Sequence, residues 1–264
     1  MDPDTEDFED VQFLTGSPQR YAVLSSLCAS AARPCELCDE IDATRTTIQR
    51  ILAGFRERQW VVKREREYRP TVTGRRVCQQ YRSLLGEVER AREFGPLTTH
   101  LDAIADDLPT EALENGRLTA GSDGNPLAAV NRFTEWFRGV GSDVRALSPI
   151  VAQPFNEVGA ELLAAGTSIE FVIDQTVLEQ SEQEYGNALE HGLDHDQISI
   201  YVHEEPLTFG LVVDETNRCC LAAYDDHNNV RAVLETSGED VADWARSVFE
   251  QRRERSKPLS VLYS

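Results

Sequence analysis

The chain has 264 residues, 41% of them hydrophobic, and a formal net charge of −20. That apolar content supports one large or two ordinary packed domains and argues against a wholly disordered chain. No stretch reaches the roughly 18 apolar residues of a membrane span, and the opening MDPDTEDFED is acidic, the reverse of a secretory n-region, so a cytoplasmic location is expected.

Of the 26 basic residues only Lys63 and Lys257 are lysines. Acidic excess with scarce lysine is the surface chemistry of salt-in halophiles, whose hydrated carboxylates keep a surface soluble; a GC-rich genome also favours Arg over Lys. The charge is unevenly laid down. Residues 44–82 hold eleven Lys/Arg against three Glu, whereas residues 97–264 hold 11 basic against 30 acidic. A basic island in an acidic chain gains little unless it meets an anion.

Residues 1–16 form an acidic leader ending in Thr15-Gly16, expected to be mobile. Ser17-Pro18 reads as a helix cap followed by proline at the first helical position. Tyr21, Leu24, Leu27 and Cys28 then predict a helix to about Ser30. Arg33-Pro34 opens a short helix over 34–41 that buries Leu37 and Ile41, and Asp42-Ala43 makes a turn. Thr44 caps a third helix whose stripe is Ile48, Ile51, Leu52 and Phe55, at i, i+3, i+4 and i+7. Its other face carries Arg45, Thr46, Gln49 and Arg50. Arg and Gln bond bidentately to guanine and adenine edges. Alone, that face fits a solvated helix equally well; the residues C-terminal to it favour recognition.

Trp60–Lys63 and residues 68–72 are β-rich runs, with Arg64, Glu65, Arg66 and Glu67 between them as the turn of a basic hairpin. Three helices followed by such a hairpin predict a winged helix-turn-helix over 17–72. Lys63, Arg64, Arg66 and Arg69 would then engage phosphates, while Thr44, Arg45, Thr46, Gln49 and Arg50 enter the major groove. A long helix over 73–95 comes next, with Val77, Tyr81, Leu84, Val88 and Ala91 at heptad spacing. Two heptads fit a dimer seam or a helix packed on its own domain equally well. Gly95-Pro96 ends it.

Residues 97–255 read as a mixed α/β domain. Helical pieces run 97–107 and 126–138, with AGSDGNP as a loop between them. A strand over 144–148, a helix over 155–165 and a strand over 169–173 ending at Asp174 form a β-α-β unit expected to pair in parallel. A helix over 175–191 precedes four β-rich runs at 198–203, 207–214, 219–224 and 230–236. The segment 203–206 reads as a turn between two of them, and 225–229 as another. A last helix carries Val241, Trp244, Val248 and Phe249. Small molecules bind such sheets at strand ends, which makes Ser148, Asp174 and His203 the candidate ligand-binding residues.

The recognisable catalytic and nucleotide loops GxxxxGK[ST], GxGxxG and GxSxG do not occur. His191 and His195 lie four apart around Gly192, which reads as a polar connection better than as a chelating helix. Cys35 and Cys38 have CxxC spacing without a second knuckle, and the six cysteines are expected to be reduced structural thiols. No metal and no cofactor are implied.

The order of these parts, with the hairpin Pro206–Asp214, the Tyr224-Asp225-Asp226 turn and the terminal helix bearing Trp244, resembles the archaeal regulators related to the methanogenesis-regulator family. The resemblance extends to the more distant sugar-responsive TrmB-type regulators. It implies a C-terminal domain similar to the phospholipase D fold. The enzymes of that fold need a His followed two residues on by Lys; here His203 is followed by Glu204 and Glu205. The resemblance therefore implies a sensor or dimerisation domain and not an enzyme. The expectation is a homodimeric regulator that binds double-stranded DNA and controls metabolic genes in response to a small-molecule effector. A winged-helix module that docks proteins, or an enzyme in the α/β domain, are the alternatives.

Overall fold

Apolar residues at helical spacing account for most of the N-terminal core, with Trp60 and Val61 added from the start of the hairpin. The computed structural model describes residues 5–101, 104, 106–183 and 196–263. Two compact units divide the chain, Met1–Glu89 and Arg90–Ser264.

In the first unit, helices α1 (Thr5–Thr15), α2 (Pro18–Ala29), α3 (Pro34–Glu40) and α4 (Arg45–Glu57) precede strands β1 (Val61–Arg64) and β2 (Glu67–Pro70). Helix α5 (Val72–Glu93) comes after them. Ile48, Ile51, Leu52 and Phe55 of α4 are all buried, against Val23, Leu24 and Leu27 of α2 and Leu37 of α3. This is the winged-helix arrangement. Ser17 makes no side-chain cap bond, whereas the Thr44 hydroxyl accepts from the Thr47 amide at 3.2 Å and starts α4.

Three expectations for this unit change. The leader is not a mobile tail: residues 5–15 form α1, with Leu14 buried and Phe13 packed edge-on against Phe55. Its charges mask two inward-facing apolar residues. The hairpin turn is tighter than four residues, because Arg64 pairs with Glu67 and leaves only Glu65-Arg66 at the tip, with Glu65 at φ 54°. Residues 71–72 belong to the start of α5 and not to a strand: the Thr71 hydroxyl accepts from the Gly74 amide at 3.0 Å and caps the helix.

The second unit is one eight-stranded sheet among the described residues, in the order β10-β6-β5-β4-β7-β8-β9-β3. The elements in sequence are α6 (Gly95–Thr98), α7 (Thr110–Asn115), β3 (Arg117–Ala120), α8 (Ala128–Phe137), β4 (Asp143–Ser148), α9 (Gln153–Ala164) and β5 (Ser168–Asp174). Helix α10, described over 175–183, is followed by β6 (Ile198–His203), β7 (Phe209–Asp214), β8 (Arg218–Tyr224) and β9 (Val230–Ser237). Helix α11 (Glu239–Glu254), β10 (Ser256–Pro258) and α12 (Leu259–Leu262) complete it. Strands β4, β5 and β6 are parallel, as the β-α-β reading requires, and the rest of the sheet is antiparallel. One face packs on α11 through Leu221, Leu234, Val241 and Phe249. The other packs on α8 and α9 through Trp136, Val144, Val158 and Val233.

Here too the structure corrects the sequence reading. The expected helix over 97–107 is the short α6; residues 102, 103 and 105 lie outside the described set, as do His191, His195 and residues 184–191 of the expected helix. Helix α7 and strands β3 and β10 are additions, both strands at sheet edges. The segment 203–206 is no hairpin turn. Strands β6 and β7 are separated by β5 and β4, so residues 204–208 cross the ends of those strands.

Candidate nucleic-acid interface

Thr44, Arg45, Thr46, Gln49 and Arg50 are all exposed, on the side of α4 opposite its buried stripe. Among the described residues none of Arg45, Arg50, Arg64 and Arg66 has an ion-pair partner. Other members of the basic island are engaged within the unit. Arg58 Nε lies 2.7 Å from Asp10 Oδ1, Arg75 donates to the Pro70 carbonyl, and Arg82 donates to the Tyr21 and Ser25 hydroxyls, each at 3.3 Å. Exposed cations without an ion-pair partner among the described residues therefore lie on the α4 face and the wing, with Arg56 and Arg76 also exposed nearby in the sequence.

The wing does not present its four cations on one side. In the β1–β2 register Lys63 faces Tyr68, Val62 faces Arg69 and Arg64 faces Glu67. Side chains alternate along a strand, so Lys63 shares the side of buried Val61, its ammonium 5.8 Å from the Tyr68 ring centroid. Arg64 and Arg69 project from the opposite side, and Arg69 pairs with Glu67 at 3.3 Å. Arg66 sits at the tip. Arg33 joins them, a residue outside the set that the sequence suggests. Ala32 exchanges backbone hydrogen bonds with Tyr68, at 3.2 and 2.8 Å, which sets Arg33 beside Glu65, Arg66 and Glu67. No local pattern signals a bridge across more than thirty residues; only the Arg-Pro boundary marks the spot.

The C-terminal candidates separate into two places. Asp174 and His203 are register neighbours on β5 and β6, and both are buried. Asp174 is occupied structurally: Oδ1 accepts from the Val177 amide at 2.9 Å and Oδ2 from the Leu207 amide at 3.0 Å, which caps α10 and ties down the 204–208 crossing. His203 Nδ1 lies 2.9 Å from the Glu205 carbonyl and 3.1 Å from the Glu205 amide, its role set by the tautomer, and its Nε2 has no hydrogen-bond partner among the described residues. Ser148, at the end of β4, instead lines an apolar cavity between the sheet and α9.

Cys28, Cys219 and Cys220 lack the environment of reactive cysteines. Burial pushes Cys28 up to about 11, helped by the adjacent Cys78 thiol, and burial pushes Cys219 up to about 12. Cys35 is exposed and Cys38 half-buried on α3. Among the described residues no three His, Cys, Asp or Glu side chains are grouped to hold a metal ion, and no helix is long and apolar enough to cross a membrane.

Residues 126–255 match the family described as the middle domain of the methanogenesis regulatory protein FilR1, and residues 8–93 match the HVO_A0261 N-terminal domain. The chain is thus related to the methanogenesis regulators. The two matches fall on the two units and span α1 to α5 and α8 to α11. No curated protein matches the sequence. Among solved structures, the chain is similar to archaeal TrmBL2, described as a chromatin protein with a novel mode of DNA binding. That likeness has 11% identity and a TM-score of 0.44, covering 90% of this chain and 92% of the other. It is also similar to Nuc from Salmonella typhimurium, a phospholipase D family member, at 9% identity and a TM-score of 0.43, over 54% of this chain and 97% of the other. Phosphatidylserine synthase from Haemophilus influenzae aligns over 55% of this chain and 39% of its own, at 13% identity and a TM-score of 0.42.

Proposed function

We propose that the chain is a sequence-specific DNA-binding transcriptional regulator that works as a homodimer in a salt-rich archaeal cytoplasm. The observation that carries this reading is the unpartnered face of α4 with its neighbouring wing, in a chain whose remainder matches a regulator domain. Helix α4 enters the major groove, where Arg45, Thr46, Gln49 and Arg50 meet base edges. Lys63, Arg64, Arg66 and Arg69, joined by Arg33, contact the phosphates. The unit from Arg90 onward serves as an effector or oligomerisation domain, and a small molecule bound there controls binding at metabolic genes.

The dimer reading rests on α5. Its heptad stripe divides: Val77 and Tyr81 pack on the first unit, with Tyr21 and Tyr81 rings edge-on at 5.0 Å. Leu84, Leu85 and Val88 further along are 53%, 40% and 50% exposed. Three apolar residues within five positions of one helix fit a seam closed by a second copy.

The test is the double substitution Arg45→Ala/Gln49→Ala in a promoter-binding assay against a panel of single-base operator variants. Each base-reading side chain is expected to contribute about 1–3 kcal/mol of discrimination. Affinity should fall and preference should flatten at the affected positions. An unchanged preference would remove α4 as the reading element.

A further inference from the structure

The cavity beside α9 is built for a ligand, and the chemistry of its walls narrows what that ligand is. It encloses about 360 Å³, within the roughly 300–1,000 Å³ of small-molecule sites. Its floor is the α8/α9 side of the sheet and its wall is α9, including Ala160 and Ala164, which are exposed. Aromatic and aliphatic side chains such as Phe133, Phe155, Phe171, Ile198 and Ile200 surround it.

Helix α9 is built in a way that packing alone does not explain. Positions 152, 156, 159, 160, 163 and 164 line the cavity, and Gly159 sits in the middle of them. A glycine inside a helix is destabilising and is retained where something approaches closely. Here nothing does: a Cβ at Gly159 would meet no atom within 4 Å, and the backbone has no positive φ there. The missing side chain leaves room for the cavity itself.

The polar groups converge and are neutral. Tyr224, on β8, lies across β7 at Gly210, where a Cβ would come 2.9 Å from its hydroxyl. Ser148, at the end of β4, lines the same cavity, and its hydroxyl donates to the Ile150 carbonyl at 2.8 Å. Burial pushes the Tyr224 phenol well above its ordinary value, so it stays protonated. Asn156 and Ser181 are the other polar side chains, and among the described residues no Lys, Arg, His, Asp or Glu lines the walls. Among the described residues an anionic headgroup finds no charged partner inside, and a sugar finds too few hydrogen bonds for its hydroxyls.

We propose that this cavity binds a neutral, largely hydrocarbon molecule whose single hydroxyl or carbonyl group bonds to the Ser148–Tyr224 pair. The proposal rests on the effector-domain reading and names the chemical class of the effector. Ligand binding places nothing on the α4 face, so the two are separable by experiment.

Calorimetric titration of the full chain, without DNA, with 1-octanol, octanoate and maltose tests it. Octanol should bind at one saturable site, at least tenfold more tightly than octanoate, with no heat from maltose. A Cβ at Gly159 meets open space, so Gly159→Leu should occupy part of the cavity and weaken octanol at least tenfold while melting no lower than the parent chain. Tyr224→Phe should weaken it about fivefold by deleting one hydrogen bond. Absence of saturable octanol binding, octanoate binding equally well, or octanol binding unmoved by Gly159→Leu would each overturn the proposal. Octanol binding as expected but without effect on promoter affinity would leave the cavity assignment standing and remove the effector reading.

Discussion

One aromatic ring holds α1 to the winged helix, which makes Phe13→Ala an informative perturbation. The ring meets Phe55 edge-on with centroids 5.6 Å apart, and the guanidinium carbons of Arg58 and Arg20 lie 3.9 and 4.4 Å from its centroid. An edge-to-face pair contributes about 1 kcal/mol, and each partly exposed cation–π contact about 0.5–1 kcal/mol. Burying half of a phenyl side chain adds about 1 kcal/mol. The total is about 3 kcal/mol, on the order of 10² in the equilibrium for opening α1. Leu14 and the Asp10–Arg58 ion pair remain, so the loss is limited to what docks the helix.

Hydrogen exchange read by mass spectrometry measures this directly, with α8 in the same molecule as the internal reference. Residues 5–15 of Phe13→Ala should exchange about 10²-fold faster, and residues 128–137 at the parent rate. Phe13→Leu restores burial without the ring quadrupole and should recover about half of the protection. A change below about fivefold, or roughly 1 kcal/mol, would refute the reasoning, because the helix would then be held by Leu14 and the ion pair. The substitution also bears on recognition, since an undocked α1 returns Arg58 to the basic island.

Replacing both Leu84 and Val88 with Glu should convert the dimer to a monomer in light scattering and lower operator affinity at least about tenfold through loss of half-site coupling; a persistent dimer would rule out the α5 seam. Glu215→Gln should destabilise the chain at neutral pH and converge with the parent in acid. The Glu215 carboxylate accepts from the Ser142 amide at 2.7 Å, the Asp143 amide at 3.0 Å and the Ser142 hydroxyl at 2.9 Å, and these bonds, the Ser142 amide first, hold it down at about 2. A depressed value means the contribution is full above the ordinary value of 4.5 and disappears as pH falls through about 2. Urea melts at pH 7 and pH 2 read the difference; an equal effect at both would contradict it. For salt, each neutralised phosphate adds about −0.9 to the log–log slope of affinity, so five contacts per chain, Arg33 included, set a limit of about −9 for a dimer. With Lys63 on Tyr68 and Arg69 on Glu67 the slope should be about −5, and one steeper than about −9 would mean the wing is not the main phosphate contact.

What can be read from the sequence is local. The stripe Ile48, Ile51, Leu52 and Phe55 fixes one face of α4 and leaves Arg45, Thr46, Gln49 and Arg50 outward, because a 3.6-residue period has no other solution. Strands β4, β5 and β6 stand out as short apolar runs between helical segments. What escapes depends on distant partners. The pairing of β3 with β9 and of β10 with β6 leaves no trace in four- and three-residue edge segments, one of them ending in Pro258. The chain neighbours β6 and β7 look like a hairpin, and only the sheet order shows two strands between them. Ser148 is legible as a strand end. Its partners in the cavity, Tyr224 and the vacant position at Gly159, come from β8 and α9, and no spacing rule connects them.

The charge pattern and the structure together constrain how recognition is achieved. A molecule with 30 acidic residues after position 96 repels DNA over a Debye length of about 10 Å at 0.1 M salt, and that length shrinks to about 3 Å at 1 M. In molar salt the repulsion is screened, and the same screening removes most of the gain from counterion release. On the proposed function, the wing would then orient the protein on the duplex without holding it strongly. Affinity has to come from contacts that salt weakens least, which are hydrogen bonds from Thr46 and Gln49, water-mediated contacts and the shape of the site. The engagement of Arg58, Arg75 and Arg82 inside the unit fits that balance: part of the island serves to build the scaffold, and on the proposed reading the outward set on α4 and the wing tip meets the nucleic acid.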